Sequence, residues 1–466
     1  MPGIAIPPSP APPATARALV AELRRACGGA VNAPGDPCYD LARQAWQADV
    51  DQRPLAVVHP ADAAEVAAVV RAAAASGATV APQGTGHRAR PLGDLSGAVL
   101  LRTGAMRRVD VDPAAQVARA EAGALWVDVV DAVAPYGLAA LHGWSPDVGV
   151  TGYSLGGGIG PYARALGLQA GHLTAVELVL ADGQVVRATA EEEAELFWAL
   201  RGGGGSFGVV TALEMRLHPV RSAYAGCLAW DWRETRRVLA RWADWAATAP
   251  PEVTTSFSVR QAPDTDGVPV WLRGRRVAAL AGAVLGDDAT AERILAPLRE
   301  LGPELDAFTR RPARDLAWLH GDPGEPRPLI RSTAQLGSLP PAAVDAVVDV
   351  AGPDPGSRLL TVELRQLGGA LGRPHRDGGA LTHLPGQFTL HAVGSPPDPD
   401  SAAALAARAG QVAAALRPWS TGRLYAGLTD APTDPARFHP PDVLARLRAV
   451  RAAVDPQGVI RTNHPL

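Results

Sequence analysis

Two stretches of this chain combine residue types and spacings suited to holding a flat ligand that carries phosphates. The first is Val80-Ala-Pro-Gln-Gly-Thr-Gly-His87. Gln83, Gly84, Thr85 and Gly86 can turn their backbone N–H groups toward a pyrophosphate, as a backbone nest does. A Rossmann fingerprint is excluded, because its glycines open a helix and here Arg88-Ala-Arg-Pro-Leu-Gly-Asp follows, with a proline and turn residues. His87 closes the run. It reads either as a nucleophilic imidazole beside a cofactor ring or as a loop histidine bonded to its neighbours.

The second stretch runs from Gly143 to Gly160 and ends Gly152-Tyr-Ser-Leu-Gly-Gly-Gly-Ile-Gly160. Gly152, Gly156, Gly157, Gly158 and Gly160 cost backbone entropy, so close approach or positive φ is required there, and a ligand-contacting loop is the reading. Arg201-Gly-Gly-Gly-Gly-Ser-Phe-Gly-Val-Val-Thr211 repeats the logic, with Gly208, Val209 and Val210 offering main-chain groups to a heterocycle. Far downstream, Thr361-Val-Glu-Leu-Arg-Gln-Leu367 reads as a strand. Strand alternation places Glu363 and Arg365 on one face. In an apolar pocket the Glu363 pKa would rise and make it a usable base; the competing reading is a Glu–Arg surface pair.

The elements that position these residues follow from local signals. Thr15 is read as the cap of a short helix over ARALVAELRRAC, after a Pro-rich, flexible lead-in. AVVHP reads as a strand, and Asp62-Ala-Ala-Glu65 as a capping box for a helix reaching Gly77. ATVAPQ is the next strand and ALWVDVVDAVAPY a helix. ELVLADGQVVRA reads as a hairpin about Asp182-Gly183. Thr189 with Glu191-Glu192-Glu193 predicts a helix start with an acidic first turn. After Pro219 longer helices alternate with strands such as RVAALAGAVL and RLLTVELRQL, and PARDLAWLHGDPGEPRP reads as a loop. The fold class expected is α+β, the later part built on a mostly antiparallel sheet.

Composition narrows the function classes. The chain has 466 residues, 47% hydrophobic and 20% charged, with a net charge of −3, so neither nucleic acid nor an anionic membrane is an expected partner. All bases are arginine, which fits GC-rich coding. Three cysteines without CxxC or Cys/His spacing support neither a disulfide framework nor a metal site. No stretch approaches the roughly 18 apolar residues of a membrane span, and the start lacks a signal-peptide pattern. A cytoplasmic protein, monomer or homodimer, is the expectation.

In order and spacing the chain resembles the FAD-linked oxidases of the berberine bridge enzyme type, in the vanillyl-alcohol oxidase superfamily. The resemblance rests on RPLAVVHPADAAEV, QGTGH, SPDVGVTGYSLGGGIGPYARALGL, RGGGGSFGVVT, VELRQLGGA and DPQGVIRTNHP, and covers nearly the whole chain. It implies a two-lobed FAD-binding domain and a substrate domain over the flavin ring. The corresponding division is a lead-in and helix over 1–52, an FAD-binding domain over 53–220, a substrate domain over 221–425 and a returning segment over 426–466.

The resemblance also implies residue roles. Gln83 to Gly86 would cradle the pyrophosphate, and His87 would be joined to the flavin 8α-methyl. Many relatives carry a second link from a cysteine in Gly-x-Cys-x-x-Val-Gly; here that slot reads Gly143-Trp144-Ser145-Pro-Asp-Val148-Gly149, so a single link through His87 is expected. Tyr153 stands where many relatives have a histidine, and reads equally as a flavin or substrate partner or as a packed aromatic. Val148 resembles the residue that controls oxygen access, and its small side chain resembles the oxidases. Tyr425 falls near an active-site tyrosine position, and Asn463 belongs to a tail that packs near the flavin. The implied reaction is hydride transfer from a small secondary-metabolite substrate to flavin N5, with Glu363 or Tyr153 taking a proton and O2 giving H2O2. Two alternatives use the same residues: an oxygenase or redox-neutral cyclase, and a flavin-binding protein without catalysis.

Overall fold

The computed structural model describes residues 14–262, 264, 270, 272–321, 324–351 and 359–466. The Pro-rich lead-in lies outside them, apart from Ala14. Three sheets organise the chain. The first contains β1 (Val31–Asn32), β2 (Ala56–Val58), β3 (Thr79–Gln83) and β4 (Ala98–Arg102) in the order β1-β2-β4-β3. β4 runs parallel to both β2 and β3, and Val57, Ala81 and Leu100 are fully buried. Such continuous apolar runs are what a sheet covered on both faces requires. Helix Ala63–Ala75 makes the crossover from β2 to β3. Asp62 caps it by accepting from Glu65 N–H at 2.9 Å. Glu65 does not complete the capping box: its carboxylate accepts from Ala61 N and Gly28 N instead.

The second sheet is antiparallel: β5 (Val109–Asp112), β6 (Val117–Glu121), β7 (Leu173–Val179), β8 (Val185–Ala188) and β9 (Val209–Arg216), in the order β5-β6-β9-β7-β8. β7 and β8 form the hairpin expected about Asp182-Gly183, and Gly183 has φ +84°. Two helix starts depart from expectation. Thr15 lies within helix Ala14–Ala26. The acidic run precedes helix Ala194–Leu200, because the Thr189 hydroxyl accepts from Glu191 and Glu192 N–H and Glu193 sits at φ +53°. That local turn competes with the helix and delays it.

The third sheet has eight strands: β10 (Ser222–Asp231), β11 (Val253–Gln261), β12 (Arg276–Val284), β13 (Leu305–Asp306), β14 (Thr309–Pro312), β15 (Ile330–Leu336), β16 (Leu359–Gln366) and β17 (Phe388–Gly394). The order is β13-β10-β12-β11-β16-β17-β15, with β14 also paired to β10. All its pairings are antiparallel. One face is apolar: Leu228, Phe257, Leu280, Leu364 and Leu390 join a core with helices such as Thr235–Thr248 and Pro399–Ala415. Alternation therefore sends Ser258, Glu363 and His391 to the other face. The chain's tail returns to the first sheet, where Val80 N–H donates to Val459 O and Arg461 N–H to Val80 O, both at 2.8 Å. The fold is α+β, as expected.

Candidate active site

A cavity of about 1110 Å³ lies between the polar face of the third sheet and the loops of the first two. That exceeds the roughly 300–1,000 Å³ of ordinary ligand pockets. The sequence dictates its floor: β3 ends at Gln83, and the chain turns through Gly84–His87, all of which line the cavity. Gly86 has φ +81°, and a Cβ there would sit 2.8 Å from Ala45 Cβ, so only glycine follows this path. Trp46 and Gln47 N–H groups take the Thr85 and Gly86 carbonyls, which fixes the loop's carbonyl edge away from the remaining amides.

His87 stacks on Trp46, with centroids 4.1 Å apart and planes 17° apart. Its Nδ1 is 2.8 Å from Thr85 Oγ1 and its Nε2 3.4 Å from Asp147 Oδ2. Burial lowers the His87 pKa against the opposing pull of Asp147, so the ring is neutral at pH 7. Trp46 Nε1 donates to the same Asp147 oxygen at 2.7 Å. Both readings of His87 thus meet: it is bonded locally, and it faces the cavity.

Ser145, Val148, Gly149, Gly152 and Gly156 line the cavity, as do Gly202–Gly205, Gly208 and Val210. Gly157, Gly158, Gly160 and Val209 do not, and this corrects the reading of the glycine run as wholly ligand-contacting. The reason is packing. A Cβ at Gly158 would meet the Tyr153 ring at 2.5 Å, one at Gly157 the Tyr425 ring at 3.1 Å, and one at Gly160 the His142 carbonyl at 1.8 Å. Tyr153 also packs edge-on to Trp126 at 5.1 Å, and its hydroxyl has no hydrogen-bond partner among the described residues. Burial raises its pKa well above the ordinary value, which keeps the phenol protonated at neutral pH. Tyr425 lines the cavity, and its hydroxyl accepts the Gly158 N–H at 2.7 Å. It tethers the glycine loop.

On the sheet side, Glu363 is opposite Ser258 of β11 and His391 of β17. Only 3% of its surface is exposed. Arg365 Nε donates to Oε2 at 2.9 Å, His320 Nε2 is 3.7 Å from Oε1, and His391 Nδ1 is 3.8 Å from Oε2. The expected rise in its pKa is corrected. Burial pushes it up, but Arg365, His320 and His391 together hold it well below the usual carboxylate range. The Glu–Arg pair exists, buried and facing the cavity. His391 was not singled out from sequence; its Nε2 is buried without a partner among the described residues, and burial keeps the ring neutral. His320, from the segment expected as a loop, stacks flat on Trp144 at 4.6 Å.

Asn463 lines the cavity with Arg461, Thr462 and His464. Arg88 also lines it. Its guanidinium donates to the Ala426 and Gly152 carbonyls and has no carboxylate within ion-pair distance among the described residues. No cluster of His, Cys, Asp or Glu among the described residues could hold a metal ion, and no helix there is long and apolar enough to cross a membrane.

These features fit an FAD molecule. A half-buried guanidinium without a counter-carboxylate suits a pyrophosphate. The Gly202–Gly205 wall, without side chains, suits the close approach of a ring.

Residues 54–189 match the family described as FAD binding domain. The chain carries this domain and has the fold of the berberine-bridge-enzyme-like oxidoreductases: BBE-like 1 of Physcomitrella patens superposes with a TM-score of 0.85 at 22% identity, over 96% of this chain and 98% of that one. More specifically, it is similar to 6-hydroxy-D-nicotine oxidase from Arthrobacter nicotinovorans, with TM-score 0.82, 26% identity and coverage of 93% and 96%. The (R)-6-hydroxynicotine oxidase of Paenarthrobacter nicotinovorans is 34% identical over 203 residues, 43% of this chain. That alignment spans 44% of the relative, less than half its length.

Proposed function

We propose that this protein is an FAD-dependent oxidase that removes a hydride from a small-molecule substrate bound between the flavin ring and the third sheet. The observation that carries the reading is the convergence on one cavity of the Gly84–His87 loop and the Glu363–His391 pair. Bound FAD would accept the hydride at N5 and return the electrons to O2, giving H2O2. The chain's own residues bind, orient and move a proton. The Gly84–Gly86 amides and Arg88 hold the pyrophosphate, and His87 is the single point of covalent attachment. Ser145 stands where a cysteine would supply a second thioether. Val148 leaves O2 a path to the ring. On the substrate side, His391 lines the cavity, and its neutral, buried Nε2 would take the proton from a substrate O–H or N–H that reaches it. Glu363, ionised and pinned by Arg365, faces Nδ1 at 3.8 Å and stabilises the imidazolium that forms.

GC-rich coding and a cavity that extends from the Gly84–His87 loop to the polar face of the third sheet support a secondary-metabolite substrate. The test is anaerobic mixing with candidate alcohols and amines, read as loss of flavin absorbance, followed by air and peroxide assay. Bleaching that reverses with stoichiometric H2O2 is expected. Incorporation of isotope-labelled oxygen into product without peroxide would make the protein an oxygenase instead.

A further inference from the structure

The sequence resemblance leads to His87 as a point of flavin attachment, but gives no account of how its imidazole becomes a nucleophile. Asp147 lies inside the motif segment, two residues beyond Ser145, and its side chain reaches back across the cavity floor to His87. From the geometry we infer that Asp147, fixed by Trp46, is the positioning residue that selects the reactive nitrogen of His87 and drives covalent flavin attachment. The inference rests on the proposal above that FAD occupies this cavity and bonds to His87.

Three contacts build the arrangement. Asp147 Oδ2 lies 3.4 Å from His87 Nε2, and a carboxylate there favours the tautomer with the proton on that nitrogen. Trp46 Nε1–H, donating to the same oxygen at 2.7 Å, stops the carboxylate from rotating away, and the indole stacks on the imidazole at 4.1 Å. With Nε2 protonated, Nδ1 keeps its lone pair, and the Thr85 hydroxyl lies 2.8 Å from it. That contact is readily given up, because the hydroxyl rotates to another acceptor. Arg331 donates to the His87 carbonyl at 2.8 Å, and Arg88 lies in the same wall. Both cations disfavour a charged ring, so Asp147 is the group that can balance positive charge as the bond forms. The Asp147 carboxyl is pushed up by burial but held below its ordinary value by His87 and Trp46, and it is ionised at pH 7.

The step balances as follows. The 8α-methyl carbon loses one hydrogen as a proton to water, and Nδ1 bonds to that carbon. The two electrons released enter the ring system and pass to O2. The Nε2 proton leaves through Asp147 to water, so the two protons and two electrons appear as H2O2.

The experiment uses the full chain as apo-protein mixed with FAD in air. Samples are taken over time and precipitated with acid, and flavin is measured in pellet and supernatant. Wild type is expected to turn its pellet yellow. Asp147→Asn is expected to bind FAD reversibly and to attach it about 10²-fold more slowly. Asp147→Ala should be equally slow, and acetate in the buffer should restore much of its rate, an effect that no merely structural role for Asp147 would give. Trp46→Phe keeps the stack, loses the donor and should slow attachment less. Should Asp147→Asn not fold, Asp147→Ala with acetate and Trp46→Phe decide the question. Attachment in the Asp147 variants at the wild-type rate would overturn the inference. A wild-type pellet without colour would instead overturn the histidyl link itself.

Discussion

At the scale of single residues, charge decides which groups can act. Glu363 is buried deeply enough that desolvation alone would neutralise it, yet Arg365 at 2.9 Å keeps it ionised. A carboxylate so stabilised is a weak base, while the neutral imidazole opposite, whose Nε2 has no partner among the described residues, is a competent one. Glu363→Gln removes the anion that supports the imidazolium, and flavin reduction should slow by roughly 10²–10⁴-fold; a stopped-flow trace at the wild-type rate would remove Glu363 from the mechanism. The pH profile has a definite sign. Burial lowers the His391 pKa below the ordinary value of about 6.5. The reduction rate should therefore stay level from pH 7 to 9 and fall only as acid protonates His391. A profile that rises through pH 8 would point to a different base.

At the scale of elements, alternation made much of the site legible. Thr361-Val-Glu-Leu-Arg reads directly as a strand with Glu363 and Arg365 on one face, and Val362 and Leu364 do join the apolar core. The same rule applied to Phe388-Thr-Leu-His-Ala puts His391 on the polar face of its strand; what one strand cannot reveal is that β17 lies next to β16 and so sets His391 opposite Glu363. Asp147 lies inside the Gly143–Gly149 segment, but nothing local announces a partner 60 residues upstream. Trp46 gave no signal. The glycine run was read correctly as a place of close approach, but for part of it the neighbour is protein: Tyr153, Tyr425 and the His142 carbonyl. Gly160→Ala would press a methyl against His142 O and should cost more than about 2 kcal/mol. Gly97→Ala, with open space around it, should be nearly neutral. Thermal melts of the two variants within experimental error of each other would contradict this packing account.

At the scale of the whole molecule, the site exists because distant segments close on it. The Gly84–His87 loop follows a strand whose Val80 is clamped on both sides by Val459 and Arg461, while Val459 and Ile460 pack into the same core. Deleting residues 459–466 in a His87→Ala background, where only non-covalent contacts hold the cofactor, should weaken FAD binding at least tenfold, about 1.4 kcal/mol. A fluorescence titration showing unchanged affinity would separate the tail from the site. The proposed oxidase requires FAD in the 1110 Å³ cavity, joined to His87. Its most direct test is a visible spectrum of the purified protein, then acid precipitation and mass analysis of the peptide containing His87. The account predicts a yellow protein whose colour stays in the pellet and a His87 peptide carrying the mass of FAD. A colourless protein that takes up no added FAD would contradict it.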